Sequence, residues 1–159
     1  MDQLLALLKQ NAQETPKNLA KMLNLTEKEV KQRIAAYEKR GIILGYRAVV
    51  NEDQLDLDRV SAVIEVKITP EREGGFDRIA GRVSKFKEVD SMFLMSGGYD
   101  LLVFVKGRNL KEVATFVSEK LATIEGVLST QTHFMLKTYK DQGVLMQAEK
   151  DNERLQISP

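Results

Sequence analysis

The chain contains no cysteine and a single histidine, His133. These two shortages exclude much chemistry at once. Disulfides, thiolate metal sites and cysteine nucleophiles are ruled out, and one histidine cannot build a His/Cys metal cluster or a Cys–His nucleophile pair within a subunit. No Walker loop and no H-E-x-x-H pattern occurs. Acidic residues are scattered, with no pair placed for acid–base work. Catalysis, a resident metal and a bound cofactor are therefore not expected. Long apolar runs are missing too. No stretch approaches the ~18 residues needed to cross a membrane, and the N-terminus shows no basic-then-apolar leader. The expected location is a reducing cytoplasm.

An excess of either charge sign is also lacking, since 24 Lys and Arg face 23 Asp and Glu. The distribution says more than the sum. Residues 1–50 hold nine basic and five acidic side chains, a net +4, while residues 51–159 hold 15 and 18, a net −3. With 159 residues, 43% of them hydrophobic and 30% charged, the chain has the make-up of one ordinary globular domain or two small ones.

What is present begins with Thr15 to Ile43, TPKNLAKMLNLTEKEVKQRIAAYEKRGII. Thr15 is a good N-cap and Pro16 stands at the first helical position. Leu19, Ala20 and Leu23 then share one face. After a turn at Asn24-Leu25, Thr26 and Glu29 make a T-x-x-E capping box, and Val30, Ile34 and Tyr37 continue an apolar stripe until Gly41 stops the helix. An opening helix is expected from Asp2 to about Asn11, facing its neighbours with Leu4, Leu5 and Leu8. The two helices of Thr15–Ile43 have the spacing of a helix-turn-helix unit, in which the later helix is expected to enter the DNA major groove. Its polar face carries Lys28, Lys31, Gln32, Arg33, Lys39 and Arg40, donors suited to phosphates and base edges. Lys28, Lys31 and Gln32 lie in the half of the helix that reads bases. Arg33 serves equally as a phosphate contact or as an internal brace. Lys39 and Arg40 serve equally as DNA contacts or as partners of the helix dipole.

From Leu44 the period changes. Tyr46 to Val50 reads as a short strand entering a polar connection at Asn51-Glu52-Asp53. Val60 to Thr69 is a β-branched strand ending at Pro70, and Glu71 to Gly75 is a turn-rich loop. Phe76, Ile79, Ala80, Val83 and Phe86 recur at helical spacing. Val89 to Ser96 and Leu101 to Lys106 are strands joined through Gly97-Gly98-Tyr99-Asp100. Asn109 to Ile124 is amphipathic through Leu110, Val113, Val117 and Leu121. Gly126 breaks it, and Val127 to Tyr139 reads as a last long strand. The fold class is α+β: an N-terminal three-helix helix-turn-helix domain (1–44), a strand and linker (45–59), a ferredoxin-like βαββαβ domain (60–139) and a polar tail (140–159). Leu101, Val103 and Val105 oppose Leu102 and Phe104, and Met92 and Leu94 oppose Phe93 and Met95. Both faces of these strands are apolar while helices cover only one, which favours a homodimer through the open face over coverage by Val144, Leu145 and Met146.

This order of elements, with ILGYRAVVN after the second helix of the pair, SGGYDLLVFV at the second β-turn-β and IEGVLSTQTHFMLK at the last helix–strand junction, resembles the Lrp/AsnC family of transcription regulators, the feast/famine proteins. The similarity spans about Asp2 to Tyr139. It implies dimers that often assemble into octamers, binding to double-stranded promoter DNA, and an amino acid or related metabolite as effector. The chain departs from the family in having no basic extension before the first helix and no arginine in NAQETPKN. It also has Ala35-Ala36 in the recognition helix and Tyr37 where leucine is usual.

Two readings stay open at Ser96–Asp100. Its glycines either simply supply positive φ, or leave bare N–H groups to hold a carboxylate while Asp100 meets an ammonium group. The resemblance places the effector at this turn, between dimers, and so carries Gly98, Tyr99 and Asp100 over as effector residues. His133 by itself reads as a polar neighbour on a half-buried strand. The resemblance adds a contact with ligand or with a neighbouring dimer. The expected function is a sequence-specific DNA-binding regulator of pseudo-palindromic sites, modulated by a small metabolite. The alternative is a metabolite-sensing oligomeric scaffold that acts on a protein partner without DNA.

Overall fold

The computed structural model describes residues 2–55, 58–70 and 76–146. The Glu71–Gly75 loop and the tail beyond residue 146 lie outside the described residues. The chain divides into two compact units, Met1–Val50 and Asn51–Pro159.

In the first unit, side-chain caps set the helix starts. Asp2 Oδ1 accepts from the Leu4 N–H at 2.8 Å and opens α1 (Gln3–Gln10). Thr15 Oγ1 accepts from Asn18 N–H at 3.2 Å and opens α2 (Pro16–Leu23), which ends on Asn24 in the left-handed conformation. α3 (Glu27–Lys39) opens with the reciprocal box: Thr26 Oγ1 accepts from Glu29 N–H, and Glu29 Oε2 accepts from Thr26 N–H at 2.8 Å. At its end the Ile42 N–H reaches Tyr37 O and the Gly41 N–H reaches Glu38 O, so two terminal carbonyls are satisfied before the chain leaves. Leu4, Leu8, Leu19, Ala20 and Val30 form the core, with Leu7, Leu23, Leu25, Ile34, Tyr37 and Ile43 packed against it. Leu7 rather than Leu5 completes the face of α1.

The expected strand at Tyr46–Val50 does not form. A strand exists only with a hydrogen-bonded partner, and this segment has none among the described residues. Its apolar side chains stay in solvent, with Leu44 before it 92% exposed.

The second unit is a four-stranded antiparallel sheet in the order β2-β3-β1-β4, from β1 (Val60–Ile68), β2 (Val89–Leu94), β3 (Leu101–Gly107) and β4 (Val127–Phe134). Alternation dictates which side chains are buried. Ala62, Ile64, Val66 and Ile68 point to the helical side, as do Leu101, Val103 and Val105. There they meet Ile79 and Val83 of α4 (Asp77–Val83) and Val113 at the start of α5 (Leu110–Thr115). α5 widens into a π-helical stretch, Phe116–Leu121. Of the expected stripe, Val113 and Leu121 are buried and Val117 packs on the core, Leu110 is exposed, and Phe116 and Ile124 join the buried set. A π turn adds a residue to the helical repeat and so shifts the buried face. Phe116 packs edge-to-face on Phe86, ring centres 5.5 Å apart.

β4 stops at Phe134, short of the expected Tyr139, because its partner runs out. Phe134 faces Ala62, and the Met135 N–H makes one more bond, to Ser61 O. Beyond it, β5 (Lys140–Asp141) and β6 (Val144–Leu145) form a small hairpin anchored through Met146, whose N–H donates to Tyr139 O and whose carbonyl accepts from Asn51 Nδ2. Val144 and Leu145 remain exposed.

The open face of the sheet is only half apolar. Phe93 lies opposite Leu102, and Phe104 opposite Val63, with Phe93 and Phe104 in edge contact at 6.0 Å. Toward β4 the same face carries Glu65, Gln131 and His133.

Gly126 (φ +92) admits the approach of α4 to the helix–β4 junction: a Cβ there would stand 2.6 Å from Ile79 Cδ1. Gly126→Ala is therefore expected to destabilise the protein by about 1–3 kcal/mol, combining positive-φ strain with overpacking. In urea denaturation, adding Ile79→Val should recover the steric part only; full additivity of the two substitutions would show that the contact is not the cause.

Candidate nucleic-acid interface and ligand-binding turn

The five DNA-contact candidates all lie on α3 and all are exposed. At about 100° per residue, Lys28, Lys31, Gln32 and Ala35 fall within an arc of about 100°. With Glu27 they line one shallow concavity along the helix. Lys39 continues this arc one turn further on. Arg33 does not share it. It projects about 150° from the middle of the stripe, and its charge acts on Glu29 and Tyr37, one turn away on either side.

Two features of the stripe escaped the sequence reading. Glu27 pairs with Lys31 one turn along, so a carboxylate stands among the donors. Hydrogen bonding to Lys31 first, then its charge, holds the Glu27 carboxyl below the usual range. The i, i+4 spacing of Glu27 and Lys31 was the available signal. Ala35, noted only as a loss of basicity, presents a methyl among polar neighbours, the kind of group that packs on a thymine methyl.

The Ser96–Asp100 turn joins β2 to β3, and its anchor is Asp100. Its N–H donates to Val66 O at 3.0 Å, its carbonyl accepts from Met95 N–H at 2.8 Å, and its Oδ2 accepts from Ile68 N–H at 2.8 Å. The last bond arises where the β1–β4 register shifts between Lys67 and Ile68, at the end of the ladder. The carboxylate thus has a structural task that the sequence did not reveal. Its Oδ1 has no hydrogen-bond partner among the described residues. Gly97 takes φ +147, and neither Gly97 nor Gly98 has an atom within 4 Å of where a Cβ would stand. The N–H groups of Gly98 and Tyr99 donate to no partner among the described residues. The turn therefore leaves the Gly98 and Tyr99 amides without a partner among the described residues, in the same loop as the Asp100 carboxylate.

His133 is not brought to this turn within one chain. Its Nε2 stands 3.3 Å from Glu65 Oε1 on the open sheet face. It lies opposite Val63, whereas the turn leads into Leu101, opposite Val66. That places it roughly 10 Å away along the strands and about 10 Å across two strand spacings. Among the described residues no group of three or more His, Asp or Glu side chains is placed to hold a metal ion, and no helix is long and apolar enough to cross a membrane.

Comparison with known proteins agrees with this two-part design. The Lrp/AsnC ligand binding domain matches residues 61–145, and a winged helix-turn-helix DNA-binding domain matches residues 3–43. An HTH-type transcriptional regulator of Bacillus subtilis, YugG, is 41% identical over 158 residues, covering 99% of this chain and 95% of that protein. The proline dehydrogenase transcriptional activator of Rhizobium radiobacter is 29% identical, over 79% and 80% of the two chains. Among solved structures, a transcriptional regulator from Neisseria meningitidis in complex with L-Met superposes with a TM-score of 0.69 at 26% identity, covering 89% of this chain and 93% of that one. Each of these relatives is named as a regulator and none as an enzyme. With both matched regions lying on the units that carry the α3 stripe and the Ser96–Asp100 turn, the chain belongs to the Lrp/AsnC family of DNA-binding transcription regulators.

Proposed function

We propose that this regulator reads pseudo-palindromic promoter sites in the cytoplasm with paired α3 helices, and that an amino acid or related metabolite at the Ser96–Asp100 turn modulates its DNA binding or assembly. The observation that carries the DNA reading is the exposed Lys28–Lys31–Gln32 stripe on a helix whose start and end are both capped. Lys28, Lys31 and Gln32 meet phosphates and base edges, Lys39 extends the track, and Arg33 acts as a flanking phosphate contact. The pairing rests on the apolar half of the open sheet face. Phe93 is 54% exposed beside Phe104, and a two-fold packing of this patch removes it from water. The working unit is a homodimer or a higher assembly of dimers. His133 and Glu65 lie on the same face and enter that contact.

The effector reading rests on the ligand-binding domain match and on the bare amides of Gly98 and Tyr99 beside Asp100 Oδ1. The L-Met bound by the Neisseria relative supports an α-amino acid as the class. Its carboxylate meets the amides and its ammonium meets Asp100.

Lys31→Ala should weaken promoter binding several-fold and lower the salt slope by about one. Glu27→Gln, which removes the competing carboxylate, should strengthen binding. Fluorescence anisotropy across a salt series checks both, and unchanged affinity and slope in both variants would remove this stripe from the DNA. Absence of any duplex binding by the unsubstituted protein at low salt would favour the scaffold reading.

Asp100→Asn keeps an acceptor for the Ile68 N–H and removes the charge, whereas Asp100→Ala leaves that amide unpaired at a cost of about 1–3 kcal/mol. Denaturation should therefore find Asn nearly neutral and Ala destabilised. Calorimetry with L-methionine and a panel of other amino acids should find binding lost in both. An amino acid that still binds Asp100→Asn at full strength would overturn the ammonium contact.

A further inference from the structure

The first turn of α3 holds two carboxylates, Glu27 and Glu29, and only one of them serves the fold. Glu29 closes the capping box with Thr26. Glu27 accepts from no backbone N–H among the described residues. Its partner is the Lys31 ammonium on Oε1, in a contact open to solvent, and its Oε2 makes no hydrogen bond among the described residues. The carboxyl is ionised at neutral pH. Lys31, by hydrogen bond and then by charge, and Lys17 of α2 more weakly, hold it below the usual range. A negative charge thus stands at the first position of the helix proposed to face DNA.

Such a charge lowers affinity for any duplex. It is offset only where a base edge presents a donor, and in the major groove the donors are cytosine N4 and adenine N6. The lysine beside it decides between them. In a C·G pair the N4 donor stands at one end of the edge, next to two adjoining acceptors, guanine O6 and N7. In an A·T pair the N6 donor lies between two acceptors, N7 and thymine O4, so a carboxylate there meets repulsion on either side. Glu27 and Lys31 present one acceptor and one donor in contact. Cytosine N4 and guanine O6 of one pair are likewise in hydrogen-bond contact, about 3 Å apart. A C·G edge therefore satisfies both heads together, whereas a phosphate on Lys31 would leave Glu27 facing the duplex without a donor.

Position agrees with this chemistry. Glu27 and Lys31 lie one turn apart in the N-terminal half of α3, the half of a recognition helix that reaches base edges. Both line the same concavity, with Lys28, Gln32 and Ala35. We infer that Glu27 and Lys31 act as one unit that selects a C·G base pair in each half-site, Glu27 accepting from cytosine N4 and Lys31 donating to guanine O6 and N7. This rests on the proposed reading of promoter DNA by α3 and adds the base that it reads. Glu27 gives up general affinity for discrimination at one position.

The test selects duplexes with the full chain from a library randomised over about 20 base pairs, two helical turns. Selected sites should carry one fixed C·G pair in each half. Fluorescence anisotropy then compares the best duplex with altered ones. Inverting the pair to G·C puts O6 under the carboxylate and N4 under the ammonium, and should weaken binding by roughly tenfold or more. N4-methylcytosine, which keeps pairing but loses the exposed N4–H, should weaken it several-fold. Glu27→Ala should bind the methylated and unmodified duplexes equally and lose most of the preference against inversion. Glu27→Gln, which keeps an uncharged acceptor, should fall between. Circular dichroism should show helix content kept in both variants, since the capping box is untouched. Lys31→Ala should lose sensitivity to 7-deazaguanine, which lacks the N7 acceptor. Full preference retained by Glu27→Ala overturns the inference and leaves promoter reading by α3 standing. Indifference of the unsubstituted protein to N4-methylcytosine does the same, as does a fixed A·T pair that depends on Glu27. A library from which no duplex is enriched overturns both.

Discussion

The second unit depends on the antiparallel pairing of β1 with β3 on one side and β4 on the other. Val63 is opposite Phe104 in one ladder and opposite His133 in the other, so one register decides the face of every side chain in three strands. A slip of one residue would turn Ala62, Ile64, Val66 and Ile68 out of the core and send Glu65 and Lys67 into it. The same register places Leu101 opposite Val66, which brings Asp100 within reach of the end of β1. Core, turn and open face are thus consequences of a single alignment.

Where a local rule decides the outcome, the residues announced it. Thr15, Thr26 with Glu29, and Gly41 fix three helix ends through bonds that close within a few residues, and each is found as read. Val60–Ile68 and Leu101–Gly107 are strands as read, but the pattern leaves open which of their faces is buried, since both faces of Leu101–Val105 are apolar. The readings that changed were those needing a distant partner. Tyr46–Val50 has the composition of a strand and no pairing partner among the described residues. Val127–Tyr139 is strand-like throughout, yet pairing ends at Phe134 because β1 begins at Val60. The stripe read at 3.6 residues per turn held at Val113, Val117 and Leu121 but not at Leu110, and it missed Phe116, which joins the core where the helix widens at Phe116–Leu121.

The site residues show the same division. That α3 presents Lys28, Lys31 and Gln32 together follows from their spacing alone. That Lys31 is shared with Glu27 follows from spacing too, but which charge dominates the surface depends on whether a phosphate displaces that carboxylate. An exposed i, i+4 pair is screened by solvent and contributes little, less than a typical charge-assisted bond to a phosphate. A phosphate therefore displaces the pair readily, and what Glu27 adds to the stripe is a negative charge that opposes DNA.

Asp100 poses the opposite problem, since its bond to Ile68 is invisible in the sequence and at first sight competes with ligand binding. A carboxylate has two oxygens and about four acceptor positions. The Ile68 N–H uses one position on Oδ2, and this bond fixes the carboxylate while leaving Oδ1 without a partner among the described residues. A side chain already immobilised loses little further rotamer freedom when it takes an ammonium group. The structural bond and the proposed ligand contact therefore support each other. A ligand on Oδ1 would also be joined through one carboxylate to the end of β1, the strand on which the buried core and the open face both depend.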